Sequence, residues 1–223
     1  MTAHFPHSPD TISGLVDYTP KRGVYREVFK RVFDITFVLL ISVLLLPLVG
    51  LLALLVMMDG SAPFYIQKRV GKDGKVFRMV KLRSMLPDAD RLLTEYLKKN
   101  PEAHAEWQRT QKLRRDPRIT TVGRIIRKTS LDELPQFWNV LLGNMSVVGP
   151  RPMMPNQQEL YPGQAYYALK PGVTGLWQVG DRNETSFAAR ARFDAEYYRI
   201  LSFATDLIVI AKTIRVVLRG TGV

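Results

Sequence analysis

The segment from Ile35 to Met58 constrains the fold of this chain more than any other. It is almost wholly apolar and carries no charged side chain over about 24 residues. At about 1.5 Å per residue, a helix of this length is long enough to cross a lipid bilayer. A buried core helix is the alternative, but core helices of this length without a charge are uncommon. The segment therefore predicts a membrane helix.

Two features bear on how this helix meets the membrane. Pro47 lies in the middle of the run, and a proline there removes a backbone hydrogen bond and kinks or breaks a helix. Basic residues flank both ends, whereas a spanning helix usually has its positive flank on the cytoplasmic side only. We therefore predict a re-entrant helix that breaks at Pro47 and returns to the same face. A single-span anchor with a periplasmic catalytic domain is the alternative. The basic flanks are Lys21, Arg22, Arg26, Lys30 and Arg31 before the run, and Lys68, Arg69, Lys72, Lys75, Arg78, Lys81 and Arg83 after it.

The rest of the chain divides around this helix. Residues 1–28 predict a flexible tail without the apolar stretch of a signal peptide, residues 29–60 the membrane region, and residues 61–223 a folded domain outside it. Asp34, at the membrane entrance, is expected to cap the helix or to pair with Arg31 or Lys30, because an unpaired carboxylate is costly in lipid.

Short elements follow in the domain predicted for residues 61–223. Pro63–Val70 and Lys75–Leu82 predict a β-hairpin around a glycine-containing turn. Residues 88–115 predict helix interrupted at Pro101, and residues 170–179 a glycine-rich loop. Residues 205–218 predict a basic amphipathic helix that lies in the membrane interface or packs on the core. The expected class is α+β, mainly helical with short strands.

Charge and composition limit the possible chemistry. Lys and Arg exceed Asp and Glu by 32 to 20, a formal net charge of +12, which indicates acidic partners. There is no cysteine, and two of the three histidines, His4 and His7, lie in the N-terminal tail. Thiolate sites are therefore excluded, and histidine-based sites are disfavoured. Any catalysis would depend on carboxylates and cations.

Two adjacent carboxylates, Asp132 and Glu133, are the strongest catalytic candidates. Ser130 and Glu133 have the spacing of a capping box, which predicts a helix start at Ser130, or nearer Asp132 because Pro135 suits only a first turn. In either register the helix dipole favours the two negative charges. Successive helical residues point about 100° apart, so we expect the two side chains to diverge and to differ in role. Helix capping alone would also explain the pair.

Cations surround this pair in the sequence. Arg127 precedes it, and Arg151 follows it between two prolines that stiffen the backbone. Guanidinium groups grip phosphate oxygens bidentately, so an anionic nucleophile beside two arginines indicates chemistry on a phosphate. Lys81 and Arg83 end the predicted hairpin and are further candidates for binding phosphates, although a solvated face is the usual role of such residues.

Seven motifs follow one another along the chain. They are Lys30-Arg31-Val32-Phe33-Asp34, the apolar run with Pro47, Lys81-Leu82-Arg83-Ser84-Met85, Asp116-Pro117-Arg118-Ile119-Thr120, Arg127 to Pro135, Val148 to Pro152, and Lys170 to Val179. Together they resemble the bacterial monotopic phosphoglycosyl transferases, also called the bacterial sugar transferase family, over about residues 29–220. One departure is Gly180-Asp181, within a segment where many members read V-S-G-R-N.

The resemblance implies an enzyme that moves a sugar phosphate from a nucleotide diphosphate sugar, usually a UDP-sugar, to polyprenyl (undecaprenyl) phosphate, as the first membrane step of exopolysaccharide or related glycan synthesis. It implies magnesium (Mg²⁺) and an Asp-Glu dyad at Asp132 and Glu133, with Asp132 attacking the β-phosphate to form a covalent intermediate. It places the arginines of the family at Arg127 and Arg151. It also implies a monotopic fold in the bacterial inner membrane, with its re-entrant helix broken at Pro47 and with residues 61–223 as the catalytic domain on the cytoplasmic face.

Other functions remain open on the sequence alone. A non-catalytic, membrane-anchored protein that binds anionic lipid or assembly partners would explain the charge and the apolar run, but not the dyad between two arginines. A nucleic-acid binder is disfavoured, because the basic residues are spread along the chain and no nucleic-acid motif occurs. The sequence decides neither the sugar nor the oligomeric state, with a homodimer among the possibilities.

Overall fold

The computed structural model describes residues 23–110, 113, 115–180 and 187–218. Within them the protein is mainly helical with short strands, which confirms the α+β class. The predicted tail up to residue 22 and Asp181 lie outside the described residues. The helices are α1 (Lys30–Met57), α2 (Ala89–Lys99), α3 (Pro101–Thr110), α4 (Thr121–Lys128), α5 (Gln136–Leu141), α6 (Ala165–Ala168), α7 (Leu176–Val179), α8 (Arg190–Ile200) and α9 (Phe203–Leu218). The strands are β1 (Phe64–Val70), β2 (Val76–Leu82), β3 (Ser146–Val148) and β4 (Gly172–Thr174).

Helix α1 contains the apolar run. A π-helical turn, Tyr25–Phe29, leads into it, so helical structure begins within the segment expected to be tail. Among the described residues, Tyr25–Met57 is the one stretch of helix long and apolar enough to cross a membrane. Its helical conformation continues on both sides of Pro47. The break at Pro47 and the return to the same face therefore stay predictions.

The protein leaves most of this apolar helix uncovered. Leu40, Val43 and Leu44 are 73%, 75% and 80% exposed. Apolar surface of this extent is unusual on a soluble protein and indicates contact with a membrane or a partner. The structure thus has the surface that membrane association requires.

Described residues of the chain form two compact units. The first contains residues 23–42, 67–79, 136–180 and 187–216. Its core is built around the parallel pair β3–β4, in which Ser146 is opposite Gly172 and Val148 opposite Thr174. Val140 and Val209 are fully buried in the same core.

Glycine allows the close approach of the two chain segments at this parallel pair. A Cβ atom at Gly149 would lie 2.3 Å from the carbonyl oxygen of Lys170, and one at Gly172 would lie 2.1 Å from the amide nitrogen of Gly149. The Gly149 amide donates to Thr174, and the Gly172 amide donates to Pro150, each at 2.8 Å. The expectation of a glycine-rich loop over residues 170–179 was wrong, because Gly172–Thr174 form β4 and Leu176–Val179 form α7.

The first unit also pairs the acidic residue at the start of α1. Asp34 is 1% exposed. Its Oδ1 atom lies 3.3 Å from Lys30 Nζ and accepts from the Ser146 hydroxyl and the Val147 amide, each at 3.0 Å. Lys30 also lies 2.8 Å from Asp206. The predicted pairing of Asp34 with Lys30 is confirmed.

The second unit contains residues 43–66, 80–110, 113, 115–135 and 217–218. Its apolar core includes Leu52, Val56, Leu82 and Ile126. The predicted interruption at Pro101 is confirmed, since α2 ends at Lys99 and α3 begins at Pro101.

The β1–β2 hairpin is confirmed to within a residue at each strand, and its turn contains Asp73 in a left-handed conformation.

Candidate active site

Asp132 and Glu133 lie in a short 3-10 helix, Leu131–Glu133, rather than in the first turn of an α-helix. The predicted capping box is wrong, because Ser130 adopts φ +59° and its side chain makes no capping hydrogen bond. The dyad instead connects α4 to α5.

Pro135 explains why the α-helix begins later than expected. A proline has no amide hydrogen, and its ring crowds the carbonyl four residues earlier, so Pro135 disfavours an α-helix that would begin at Leu131. The chain closes a tighter turn first, in which the Leu134 amide donates to the Leu131 carbonyl at 3.3 Å. Helix α5 then begins at Gln136, directly after the proline.

Lys81 connects the hairpin to the dyad. Its Nζ atom lies 2.8 Å from Glu133 Oε1 and 3.9 Å from Asp132 Oδ2. The three side chains are only 14–18% exposed, so solvent screens this cluster less than it would a surface pair. The expected divergence of the two carboxylates is therefore not observed, since both approach one ammonium group. Glu133 makes the closer contact, which leaves the two carboxylates in different surroundings.

Arg83 lies two residues further along the chain, but its guanidinium group is directed elsewhere. It contacts both carboxylate oxygens of Asp59, at 2.8 and 2.6 Å. It also donates to the carbonyls of Val56, Ala62 and Met85. The hydrogen bond and charge of Arg83 hold the pKa of the Asp59 carboxyl below its ordinary value. In this arrangement Arg83 ties the end of α1 to the hairpin, and binding of phosphate by Arg83 stays a prediction.

Arg127 lies in the last turn of α4, where a cation complements the helix dipole. It is close enough to influence Asp116, whose carboxylate receives two hydrogen bonds from Arg118, at 2.8 and 2.6 Å. Burial raises the pKa of Asp116. The hydrogen bonds and charge of Arg118, assisted by the charge of Arg127, lower this pKa by more than burial raises it and leave it below the ordinary value. Arg118 also lies over the ring of Trp107, 5.2 Å from its centroid.

Arg151 belongs to the first unit and directly follows the β3–β4 pair. The backbone hydrogen bonds at Gly149 and Pro150 fix the chain just before it. Burial and then the charge of Arg151 lower the pKa of Arg190 to about 10, which indicates that the two guanidinium groups lie near each other. Arg190 also stacks over the ring of Trp177, 4.1 Å from its centroid. The sequence indicated neither Arg190 nor this stacking.

Several further contacts were not expected from sequence. Asp59 was interpreted only as the end of the apolar run, although it holds Arg83. Lys81 is the counter-ion of the dyad in the structure, and binding of phosphate by Lys81 stays a prediction. No local signal in the sequence joins Lys81 to Glu133, which lie 52 residues apart.

The dyad provides carboxylate oxygens of the kind that Mg²⁺ prefers. Among the described residues, no group of three or more His, Cys, Asp or Glu side chains could hold a metal ion. Two carboxylates are nonetheless sufficient for Mg²⁺, which is commonly bound through one or two carboxylates together with substrate phosphates and water. The residues at this site therefore fit a magnesium ion that is shared with a phosphorylated substrate.

The sequence matches the family described as bacterial sugar transferase over residues 25–220. It is 48% identical over 195 residues to a UDP-galactose-lipid carrier transferase of Erwinia amylovora, covering 86% of this chain and 41% of that protein. It is 43% identical over 198 residues to the exopolysaccharide production protein ExoY of Sinorhizobium fredii, covering 87% and 88% of the two chains.

A third relative is an undecaprenyl-phosphate galactose phosphotransferase of Salmonella typhimurium, which is 46% identical over 195 residues, covering 86% of this chain and 41% of that protein. The chain thus spans about two fifths of the length of two of these relatives and most of the third. The match to the family covers the apolar helix, the hairpin, the dyad and the segment around Arg151. This chain belongs to the bacterial sugar transferase family.

Proposed function

We propose that the protein transfers a sugar 1-phosphate from a UDP-sugar to undecaprenyl phosphate, in an early membrane step of exopolysaccharide synthesis. The names of the relatives support this reaction, since they specify UDP-galactose, a lipid carrier, undecaprenyl phosphate and exopolysaccharide production. The observation that carries the proposal is the convergence of Asp132 and Glu133 on Lys81 Nζ, within 4 Å. Galactose is the first sugar to test, because two of the relatives are named for it.

Asp132 is the proposed nucleophile. Its carboxylate oxygen attacks the β-phosphorus of the donor, a P–O bond to this oxygen forms, and the bond to the bridging diphosphate oxygen breaks. UMP leaves with the electron pair of that bond. A phosphate oxygen of the lipid then attacks the same phosphorus, and Asp132 is released as a carboxylate. The products are undecaprenyl-diphosphate-sugar and UMP.

The neighbouring charges would support both displacements. Lys81 offsets part of the negative charge of the dyad, so that an anionic donor meets less repulsion. Arg127 and Arg151 are the proposed phosphate ligands, since guanidinium groups stabilise the charge that develops on a transferring phosphoryl group. Asp132 and Glu133 would hold Mg²⁺. A bound Mg²⁺ neutralises charge on the diphosphate and on the leaving UMP.

The reaction also needs a protein that works at a membrane. Undecaprenyl phosphate is insoluble in water, whereas the sugar nucleotide is soluble, so the active site must lie at the bilayer surface. We infer that α1 enters the bacterial inner membrane from the cytoplasmic side, turns at Pro47 and returns. The uncovered apolar surface of α1 and its basic flanks support this arrangement.

Single cysteines can test the topology, because the chain has none of its own. Gly23→Cys and Ser61→Cys would be made separately and treated with a membrane-impermeant maleimide in intact spheroplasts and in lysed ones. A re-entrant helix predicts labelling of both variants only after lysis. Labelling of just one variant in intact spheroplasts would identify a spanning helix instead.

Release of UMP tests the reaction. Purified protein in nanodiscs would receive Mg²⁺, undecaprenyl phosphate and a panel of UDP-sugars one at a time, beginning with UDP-galactose. We expect release with wild type and none with Asp132→Asn, whereas Asp90→Asn, a change at an exposed position of α2, should stay active. Without the lipid acceptor, UMP should appear in a burst of one per enzyme, with a hexose phosphate attached to Asp132 in mass spectra.

Two outcomes would count against this proposal. Substantial turnover by a membrane-inserted Asp132→Asn variant would remove Asp132 as the nucleophile. An absence of UMP release with every donor, from folded and inserted wild-type protein, would favour the non-catalytic, lipid-binding alternative.

A further inference from the structure

The first unit contains a cavity of about 460 Å³ at the beginning of α1. None of the residues that line it belongs to the dyad or to the proposed phosphate ligands of the reaction. Five of the lining side chains are cationic, against two carboxylates. The cations are Arg26, Lys30, Arg31, Lys72 and Lys170, and the carboxylates are Glu27 and Asp34. The cavity therefore has a surplus of positive charge.

Interactions within the protein account for two of these cations. Lys30 lies between Asp34, at 3.3 Å, and Asp206, at 2.8 Å. Arg31 donates to the carbonyls of Val140 and Leu141 at the end of α5. These carbonyls satisfy donors of Arg31 but do not neutralise its charge.

Among the described residues, none of the other three cations forms an ion pair, and the carboxylate that acts on Lys170, that of Asp34, is already paired with Lys30. Lys72 and Lys170 make no side-chain hydrogen bond or ion pair with any residue that the structure describes. Arg26 donates through Nη2 to the Tyr198 carbonyl and lies over the Tyr198 ring, 4.6 Å from its centroid, but its buried Nε atom has no hydrogen-bond partner among the described residues. A Cβ atom built at Gly143 would lie 3.5 Å from Arg31 Nη2 and 3.8 Å from Lys170 Nζ, so these two cations lie within about 7 Å of each other. Burial and then the charge of Arg31 lower the pKa of Lys170. The charge of Asp34 acts in the opposite direction, but with the charges of Lys72 and Lys30 added the pKa stays below its ordinary value. Like charges held this close in a partly buried cavity destabilise the empty state, and an anion would relieve their repulsion.

Apolar surface lies beside this cavity in the same unit. Val28, Phe29 and Val32, in the turns around Lys30, are 57%, 54% and 53% exposed. Leu207 and Ile208 on α9 are exposed as well. Helix α1 leads from the cavity directly into its uncovered apolar run. A free phosphate would use only the cations, whereas a lipid would use the cations and the neighbouring apolar surface together.

We propose that this cavity binds the phosphodiester head group of an anionic phospholipid, with the acyl chains lying along the apolar surface of α1 and α9. Lys72 and Lys170 supply the charge that attracts the head group, and Arg26 supplies an unused hydrogen-bond donor. The site would fix the depth of α1 at the membrane surface. It is separate from the acceptor of the transfer reaction, and its occupancy needs no sugar nucleotide.

Lipid binding to the full chain in detergent tests this proposal without reference to turnover. Phosphatidylglycerol, phosphatidylcholine with the same acyl chains, undecaprenyl phosphate and inorganic phosphate would be titrated separately, with occupancy read by native mass spectrometry. The variant is Lys72→Gln/Lys170→Gln. The matched control is Lys68→Gln/Lys75→Gln, which removes the same charge from exposed positions outside the cavity. We expect the cavity variant to weaken binding of phosphatidylglycerol at least about tenfold, and the control less than about twofold.

Thermal unfolding provides a second measurement that separates binding from misfolding. Because the variant relieves repulsion between like charges, its Tm without lipid should equal or exceed that of wild type. Added phosphatidylglycerol should then raise the Tm of wild type and of the control, but not that of the cavity variant. A lowered Tm without lipid would contradict the argument that these lysines are mutually repelled.

Three results would overturn the proposal. Equal weakening in the control would mean that general attraction to a basic surface explains the binding. Inorganic phosphate that binds as tightly as phosphatidylglycerol would identify a free-phosphate site. Undecaprenyl phosphate that displaces phosphatidylglycerol and loses affinity in the cavity variant alone would identify a site for the acceptor.

Discussion

Asp194 should make the stability of the protein fall as the pH rises from about 5 to about 8. This side chain lies on α8, is 5% exposed and accepts a hydrogen bond from the Tyr161 hydroxyl at 2.7 Å. Burial raises the pKa of Asp194 from 3.8 to about 7, although the hydrogen bond from Tyr161 and the charge of Arg190 act in the opposite direction. The carboxyl group therefore holds its proton more tightly in the folded protein than in the unfolded chain.

The sign and the size of the effect follow from this difference. Between pH 4 and pH 7 the folded state binds a proton that the unfolded state has released, so stability decreases through that range and is level above it. A shift of about 3 pKa units corresponds to roughly 4 kcal/mol, of which about 2.5 kcal/mol is lost between pH 5 and pH 8. For a chain of this size the apparent Tm should fall by roughly 5–10 °C over that interval.

Asp194→Asn isolates this contribution. The asparagine side chain is uncharged at every pH, and its oxygen remains an acceptor for the Tyr161 hydroxyl. The apparent Tm of wild type minus that of the variant should fall by roughly 5–10 °C between pH 5 and pH 8. This change does not depend on the size of the difference at pH 5. Asp73→Asn is the matched control, because this aspartate is exposed in the hairpin turn and asparagine tolerates its left-handed backbone. A difference that is independent of pH would refute the reasoning.

Two further predictions concern the candidate active site and the core. Lys81→Gln removes the ammonium group that lies 2.8 Å from Glu133, so the kcat/KM for UMP release should fall about tenfold to a hundredfold. The exposed control Lys99→Gln should stay within about twofold of wild type. Gly149→Ala places a methyl group 2.3 Å from the backbone oxygen of Lys170, which cannot move freely. The free energy of unfolding, measured with denaturant, should therefore fall by about 3 kcal/mol. Gly50→Ala has open space around the added methyl group and should not lower it.

The sequence predicted the local elements better than the contacts between distant ones. The β1–β2 hairpin and the separation of α2 from α3 depend on turn residues and on Pro101, whose effects are local. The β3–β4 pair was missed because each strand has only three residues and they are joined by about two dozen residues of other structure. Its main signal was the close approach of Gly149 and Gly172, which becomes apparent only when both segments are placed.

The candidate site was predicted in composition but not in geometry. Asp132 and Glu133 were chosen because they are adjacent and lie between arginines. Their placement in a 3-10 turn depends on Pro135, and their convergence on Lys81 depends on where β2 ends. Arg83 and Lys81 looked equivalent in sequence, yet one lies against Asp59 and the other against the dyad. Distinguishing them required the position of Asp59 at the end of α1, which is tertiary information.

The ion pairs explain how a strongly basic chain could use a carboxylate as the proposed nucleophile. Asp34, Asp59 and Asp116 are each held by a lysine or arginine within their own unit, so these acidic side chains are neutralised locally. The formal charge of +12 is therefore presented mainly by the remaining cations, which would attract the proposed diphosphate donor and lipid phosphate. Two neighbouring carboxylates would oppose that attraction. Together with Lys81, the two carboxylates form a cluster with a formal charge of −1 rather than −2. The proposed anionic donor would therefore meet less repulsion at Asp132, even without a metal ion.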